Sequence, residues 1–218
     1  MDRMLETRSR HDSGLTDDFP LVRRRRMMGL AGGVTVAALA AGPEATTLAR
    51  SGIVRGDIRR GFGTANGVAR GVPLDIRLRL TSANSGRPLP GFAVYLWQCD
   101  REGNYSLYSP GLERENYLRG VQTADTAGWA RFTSIFPGAH DGRWPLLHVE
   151  VYPSMVACPG TRMLAAEITL PADACAAAYA TPGYEASRGI EHPGAPVEMA
   201  CVTGDVRRGL VATRTVGI

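Results

Sequence analysis

Apolar and polar positions alternate without a break over residues 72–80. Val72, Leu74, Ile76, Leu78 and Leu80 fall on one face, and Asp75, Arg77 and Arg79 on the other. A period of two sustained this long predicts a strand with one face buried. Residues 82–91 are dense in turn formers, and the segment that follows, residues 92–97, is apolar on both faces, as a central strand would be. Short segments of the same kind recur at 129–134, 146–152, 163–170, 197–202 and 210–216, each set off by turn signals. Seven such segments with no sustained helical period predict an all-β sandwich. One short helix is expected at residues 172–179, where an Ala-rich run follows Pro171.

The N-terminus departs from this pattern. Arg23 to Arg26 and Met27-Met28 lead into a short, Gly/Ala-rich and weakly apolar run over residues 29–40. A basic stretch before such a run reads as an export leader, and the paired arginines resemble a twin-arginine signal. Ala38-Leu39-Ala40 offers a small-x-small cleavage site, so the mature chain is expected to start near residue 41 and the protein to be exported. The run falls short of the roughly 20 residues a membrane span needs. Residues 41–71, rich in Gly, Arg and Thr, read as an extended arm, and residues 72–218 as the sandwich domain.

Composition changes the picture by exclusion. All 25 residues counted as Lys or Arg among the 218 are Arg. Without a lysine amine, Schiff-base chemistry and the Gly-Lys-Ser/Thr phosphate loop are ruled out. Residues 41–218 carry 18 Arg against 16 acids, too even a balance for a nucleic-acid binder, which needs a clustered basic face. Gly61-Phe62-Gly63-Thr64-Ala65-Asn66 lacks the third glycine and the βαβ setting of a dinucleotide loop. Cys99, Cys158, Cys175 and Cys201 include no C-x-x-C pair; they fit an oxidising compartment with one or two disulfides, the alternative being four buried thiols.

Imidazole chemistry has few sources. Of His11, His140, His148 and His192, the first lies in the leader and His192 sits in a turn-forming loop, Glu191-His192-Pro193-Gly194. His148 shares a strand face with Leu146, Glu150 and Tyr152, and a polar group on such a strand needs a partner. Trp97, Trp129 and Trp144 read as core or pocket-wall aromatics.

Several ordered motifs then coincide. They are Leu89-Pro90-Gly91-Phe92 running into Val94-Tyr95-Leu96-Trp97-Gln98-Cys99-Asp100, then Gly103-Asn104-Tyr105-Ser106, then Asn116-Tyr117-Leu118-Arg119-Gly120-Val121-Gln122. Phe132 to Gly138 follows, and Gly142-Arg143-Trp144-Pro145 leads to His148 and Val151-Tyr152-Pro153. Over residues 72–218 the chain thereby resembles the intradiol ring-cleavage dioxygenases, and most closely their secreted actinobacterial branch. The resemblance implies a non-haem ferric ion held by two tyrosines and two histidines, and a catechol substrate cleaved with O₂. Anionic phenolate oxygens suit the hard ferric ion. By this resemblance Tyr105 takes the place of the first tyrosine, His148 that of the second histidine, and Arg143 that of the substrate-orienting arginine.

Two ligand positions break the family pattern. His140 stands where the second tyrosine belongs and Leu146 where the first histidine belongs, while Glu167 replaces a glutamine near the oxygen pocket. Three readings follow. A rebuilt metal site of Tyr105, His140 and His148, with Glu167 adding a carboxylate, would bind iron or, less readily, copper; two imidazoles and a carboxylate suit Fe(II). A metal-free pocket would instead use His140 or Glu167 as base, Tyr105 as acid and Arg143 as charge stabiliser, for cyclisation, isomerisation or elimination on a phenolic or polyketide-like molecule. A binder of aromatic compounds without catalysis is the third.

Overall fold

The computed structural model describes residues 14–27, 48–191 and 198–218. Among the described residues, eight strands form two sheets: β1 (Pro73–Thr81), β2 (Ala93–Trp97), β3 (Arg119–Thr123), β4 (Trp129–Ile135), β5 (Leu146–Tyr152), β6 (Leu164–Thr169), β7 (Cys201–Asp205) and β8 (Gly209–Gly217). One sheet has the order β4-β1-β8-β7 and the other β3-β2-β5-β6. All neighbours are antiparallel except β1 with β8. This is the expected all-β sandwich, with the expected short helix at Ala172–Tyr179.

The alternation in β1 does what its period dictates. Leu74, Ile76, Leu78 and Leu80 turn into the layer between the sheets and join Val94, Leu96, Phe132, Leu147, Val149 and Val151 there. β2 is buried on both faces, because its second face is covered as well. There Ala93, Tyr95 and Trp97 join Val121, Tyr152, Leu15 and Phe19 in a second apolar cluster.

Two elements differ from the sequence reading. β3 was not expected as a strand: Arg-Gly-Val-Gln-Thr holds one aliphatic residue, and its buried end is an arginine. The strand expected at 197–202 begins instead at Cys201, and residues 192–197, His192 among them, lie outside the described residues.

The described part of the arm, from residue 48, reaches both sheet edges. Val54 bridges to Val121 on β3 and Asp57 to Thr133 on β4, so that residues 53–58 join the two sheets. All four cysteines are free thiols, three of them buried and Cys201 exposed.

Most of the expected leader, including residues 29–40 and His11, lies outside the described residues. Within it Leu15–Met27 forms a helix, α1, whose Leu15, Phe19 and Val22 are buried at the i, i+4, i+7 spacing of a helix face. Pro20 and the arginine run obscure that spacing in the sequence. Ala172–Tyr179 is α2.

Candidate active site

The site is built on the outer face of the β3-β2-β5-β6 sheet. Register places Arg119 opposite Trp97, Trp97 opposite His148, and His148 opposite Glu167. Directly opposed residues share a face, so these four form one cross-strand row. Leu147 and Val149, the chain neighbours of His148, point the other way into the core. Trp97 stacks on the His148 ring with centroids 4.9 Å apart and planes 12° from parallel, which fixes the imidazole plane.

Tyr105 arrives from a tight turn before β3. The Asp100 carboxylate shapes that turn by accepting from the backbone N–H of Glu102 at 3.1 Å and Asn104 at 2.8 Å, and from the Tyr117 hydroxyl at 3.0 Å. Burial raises the Asp100 carboxyl above its usual range, against the pull of these donors. Gly103 adopts φ 86° and lies so close to the 138–140 loop that a Cβ there would stand 2.1 Å from the Ala139 carbonyl. Only glycine meets both demands. The turn buries Tyr105, and its Oη lies 2.8 Å from His148 Nε2.

His140 and Arg143 come from one loop, closed by the Arg143 N–H donating to the His140 carbonyl at 2.8 Å. His140 Nδ1 is 2.6 Å from the Gly103 carbonyl. A carbonyl oxygen only accepts, so Nδ1 carries a hydrogen, while Nε2 lies 3.3 Å from Asp141 Oδ2. The His140 ring stands edge-on to Tyr105, with centroids 4.9 Å apart. Arg143 Nη2 is 3.8 Å from Glu167 Oε2, and Glu167 Oε1 is 3.7 Å from His148 Nδ1. The carboxylate next to Nδ1 favours the tautomer in which Nε2 accepts from the Tyr105 hydroxyl.

All five candidate residues are therefore contiguous: Tyr105 touches His148 and His140, and Glu167 links His148 to Arg143. Sequence reasoning overlooked Cys99, which lines the same small cavity with Tyr105, His140, Arg143 and Leu146. Its thiol donates to the Gly138 carbonyl at 3.2 Å, and burial drives its ionisation far upward. The enclosed space is about 10 Å³, on the scale of one water. An open cleft of about 980 Å³ lies beyond it, and His140 borders both.

Whether these residues fit the ferric ion that the family resemblance implies is a question of donors. Tyr105 Oη and His148 Nε2 are spaced like two adjacent ligands at right angles on bonds of about 2 Å, the length of metal–imidazole bonds. Leu146 borders the same cavity without a donor atom. Among the described residues, no group of three or more His, Cys, Asp or Glu side chains is placed to hold a metal ion. On the assignment that the resemblance implies, Leu146 supplies no donor at the fourth position.

Comparison with known proteins agrees with this fold and its motifs. A family described as Dioxygenase matches residues 57–146. The chain is intradiol-dioxygenase-like. A 64-residue stretch is 36% identical to a chlorocatechol 1,2-dioxygenase of Rhodococcus opacus, covering 28% of this chain and 25% of that protein. The match thus spans about a quarter of that relative. An intradiol ring-cleavage dioxygenase from Tetranychus urticae has a similar structure, with TM-score 0.63 and 21% identity over 76% of this chain and 86% of that one. The dioxygenase domain of a carbohydrate-binding fusion protein from Streptomyces sp. SirexAA-E aligns with TM-score 0.50 and 20% identity, over 76% of this chain and 87% of that one. At these identities the structures establish the shared fold.

Proposed function

We propose that this intradiol-dioxygenase-like chain is an exported enzyme that takes a small phenol, catechol or related molecule from the open cleft and transforms it by proton transfer. The observation that carries the reading is the chain Tyr105–His148–Glu167. Tyr105 gives its hydroxyl proton to the substrate as His140 takes one from it, and the phenolate is reprotonated through His148 Nε2, with the half-exposed Glu167 beside His148 Nδ1 as the side from which the proton returns. His140, at the boundary between cleft and cavity, presents Nε2 as the base. Arg143 stands beside Glu167, where it stabilises negative charge developing on the substrate oxygen. A positioned acid and base of this kind contribute about 10² to 10⁴ in rate each. Cyclisation, isomerisation and elimination on a phenolic ring all need only these parts.

A second reading rests on one specific observation, the 2.8 Å spacing of Tyr105 Oη and His148 Nε2. That spacing suits adjacent metal ligands, and it favours a metallo-oxygenase whose site is rebuilt from Tyr105, His140 and His148.

Incubation with a panel of phenols and catechols, with and without oxygen and a chelator, separates the two. The acid–base reading expects turnover that survives both removals and disappears in His140→Ala. Oxygen-dependent ring cleavage would overturn it in favour of the metallo-oxygenase, and saturable binding without turnover would overturn both.

A further inference from the structure

The second cluster on the outer sheet face holds a buried charge that the proposed chemistry does not use. Arg119 is fully buried, and its ion-pair partner is Asp18 of α1, equally buried. The hydroxyls of Tyr95 and Tyr108 donate to the same Asp18 carboxylate. The guanidinium itself is held by the sandwich domain. Its Nε donates to Ser106 Oγ at 3.2 Å, Nη2 to the Ser106 carbonyl at 2.8 Å and Nη1 to Tyr95 Oη at 3.3 Å, and it lies 5.2 Å from the Tyr108 ring centre.

From this geometry we infer that Arg119, Tyr95 and Tyr108 form a carboxylate-binding site, and that α1 is a detachable plug whose Asp18 occupies it from within the chain. Besides Asp18, the guanidinium is held by Ser106, Tyr95 and Tyr108, all outside α1, so these contacts do not depend on the helix. An unpaired buried guanidinium is strongly unfavourable, so an anion that takes the place of Asp18 favours departure of α1. The apolar body of that ligand is indicated by what α1 places beside Asp18: Leu15 and Phe19, packed with Tyr95, Trp97 and Val121. The ligand class is a carboxylate on an apolar body. Loss of residues 1–40 by the processing expected from the sequence would remove Asp18 and open the site. The inference stands independently of the proton-transfer reading, since Asp18 and Arg119 take no part in it.

The test uses the full chain carrying Asp18→Ala, with sodium acetate as the probe and sodium chloride at equal ionic strength as the control. Acetate at tenfold excess over its Kd should raise the thermal midpoint by about 3 °C relative to chloride. That response should vanish in Asp18→Ala/Arg119→Met. Equal midpoints in the two salts, or a response that persists without Arg119, would overturn the site. Should Asp18→Ala not fold, hydrogen exchange of the wild-type chain serves instead. Acetate should speed exchange over residues 15–27 while leaving β2 unchanged; identical exchange in both salts would overturn the plug.

Discussion

Tyr105 and His148, 43 positions apart in the chain, meet through a 2.8 Å contact between Oη and Nε2. The turn at Asp100–Asn104 aims one, and the stacked Trp97 ring fixes the other. The contact makes Tyr105 the acid of the proposed reaction and His148 its relay. Tyr105→Phe keeps the ring and removes only the hydroxyl. It should lower kcat by about 10² to 10⁴ while costing about 1 kcal/mol of stability, the net worth of one hydrogen bond. Steady-state kinetics and thermal unfolding of the same preparation check both, and unchanged kcat would remove Tyr105 from the chemistry.

Leu146 stands where the family resemblance places a histidine ligand. Its side chain borders the cavity with Tyr105 and His140, so a histidine there adds an imidazole beside donors already present. Leu146→His should recover iron binding, with a tyrosinate-to-iron band in the visible. Metal content and colour equal to wild type would show that the site differs from its relatives by more than this substitution.

How far this could be read from the chain depended on local pattern. β1 and β2 were legible because alternation and two-sided apolarity act within one strand. β3 was not, since Arg119–Thr123 owes its strand conformation to pairing with β2, and its buried arginine to Asp18 a hundred residues earlier in the chain. The candidate site residues came from ordered motifs, not from periodicity: Tyr105 alone would pass for a surface aromatic after a turn. No local signal marks the join of His148 to Glu167, which depends on the β5–β6 register. The packing of α1 was hidden because its apolar face consists of three residues beside Pro20 and a run of arginines.

Gly103 carries the geometry of the Tyr105 turn. Gly103→Ala places a methyl against the Ala139 carbonyl, in a backbone conformation that costs a non-glycine residue about 1–3 kcal/mol. The variant should melt about 4 °C or more below wild type, and its activity should fall further than that loss of stability accounts for. A midpoint within a degree of wild type would show that the loop gives way without strain.

The thiols should divide into two classes. Burial pushes Cys158 and Cys175 up to about 12 and Cys99 further still, while Cys201 is exposed. At pH 8 a thiol at about 12 is thiolate in roughly one molecule in ten thousand. Alkylation of the native chain should therefore modify Cys201 first, and the other three only on unfolding. Raising the pH toward 12 favours their thiolates, but burial still limits access. Mass spectrometry of the alkylated chain checks this, and rapid modification of Cys99 at pH 8 would mean that the small cavity is open to reagent.

The central claim is that Tyr105 and His148 pass a proton between them instead of sharing a ferric ion. Elemental analysis of the purified protein, with the visible spectrum of the same sample, tests it most directly. The account predicts no stoichiometric iron or copper, no tyrosinate-to-metal band, and turnover that does not depend on added metal. Stoichiometric iron with a visible band that is lost in Tyr105→Phe would contradict it.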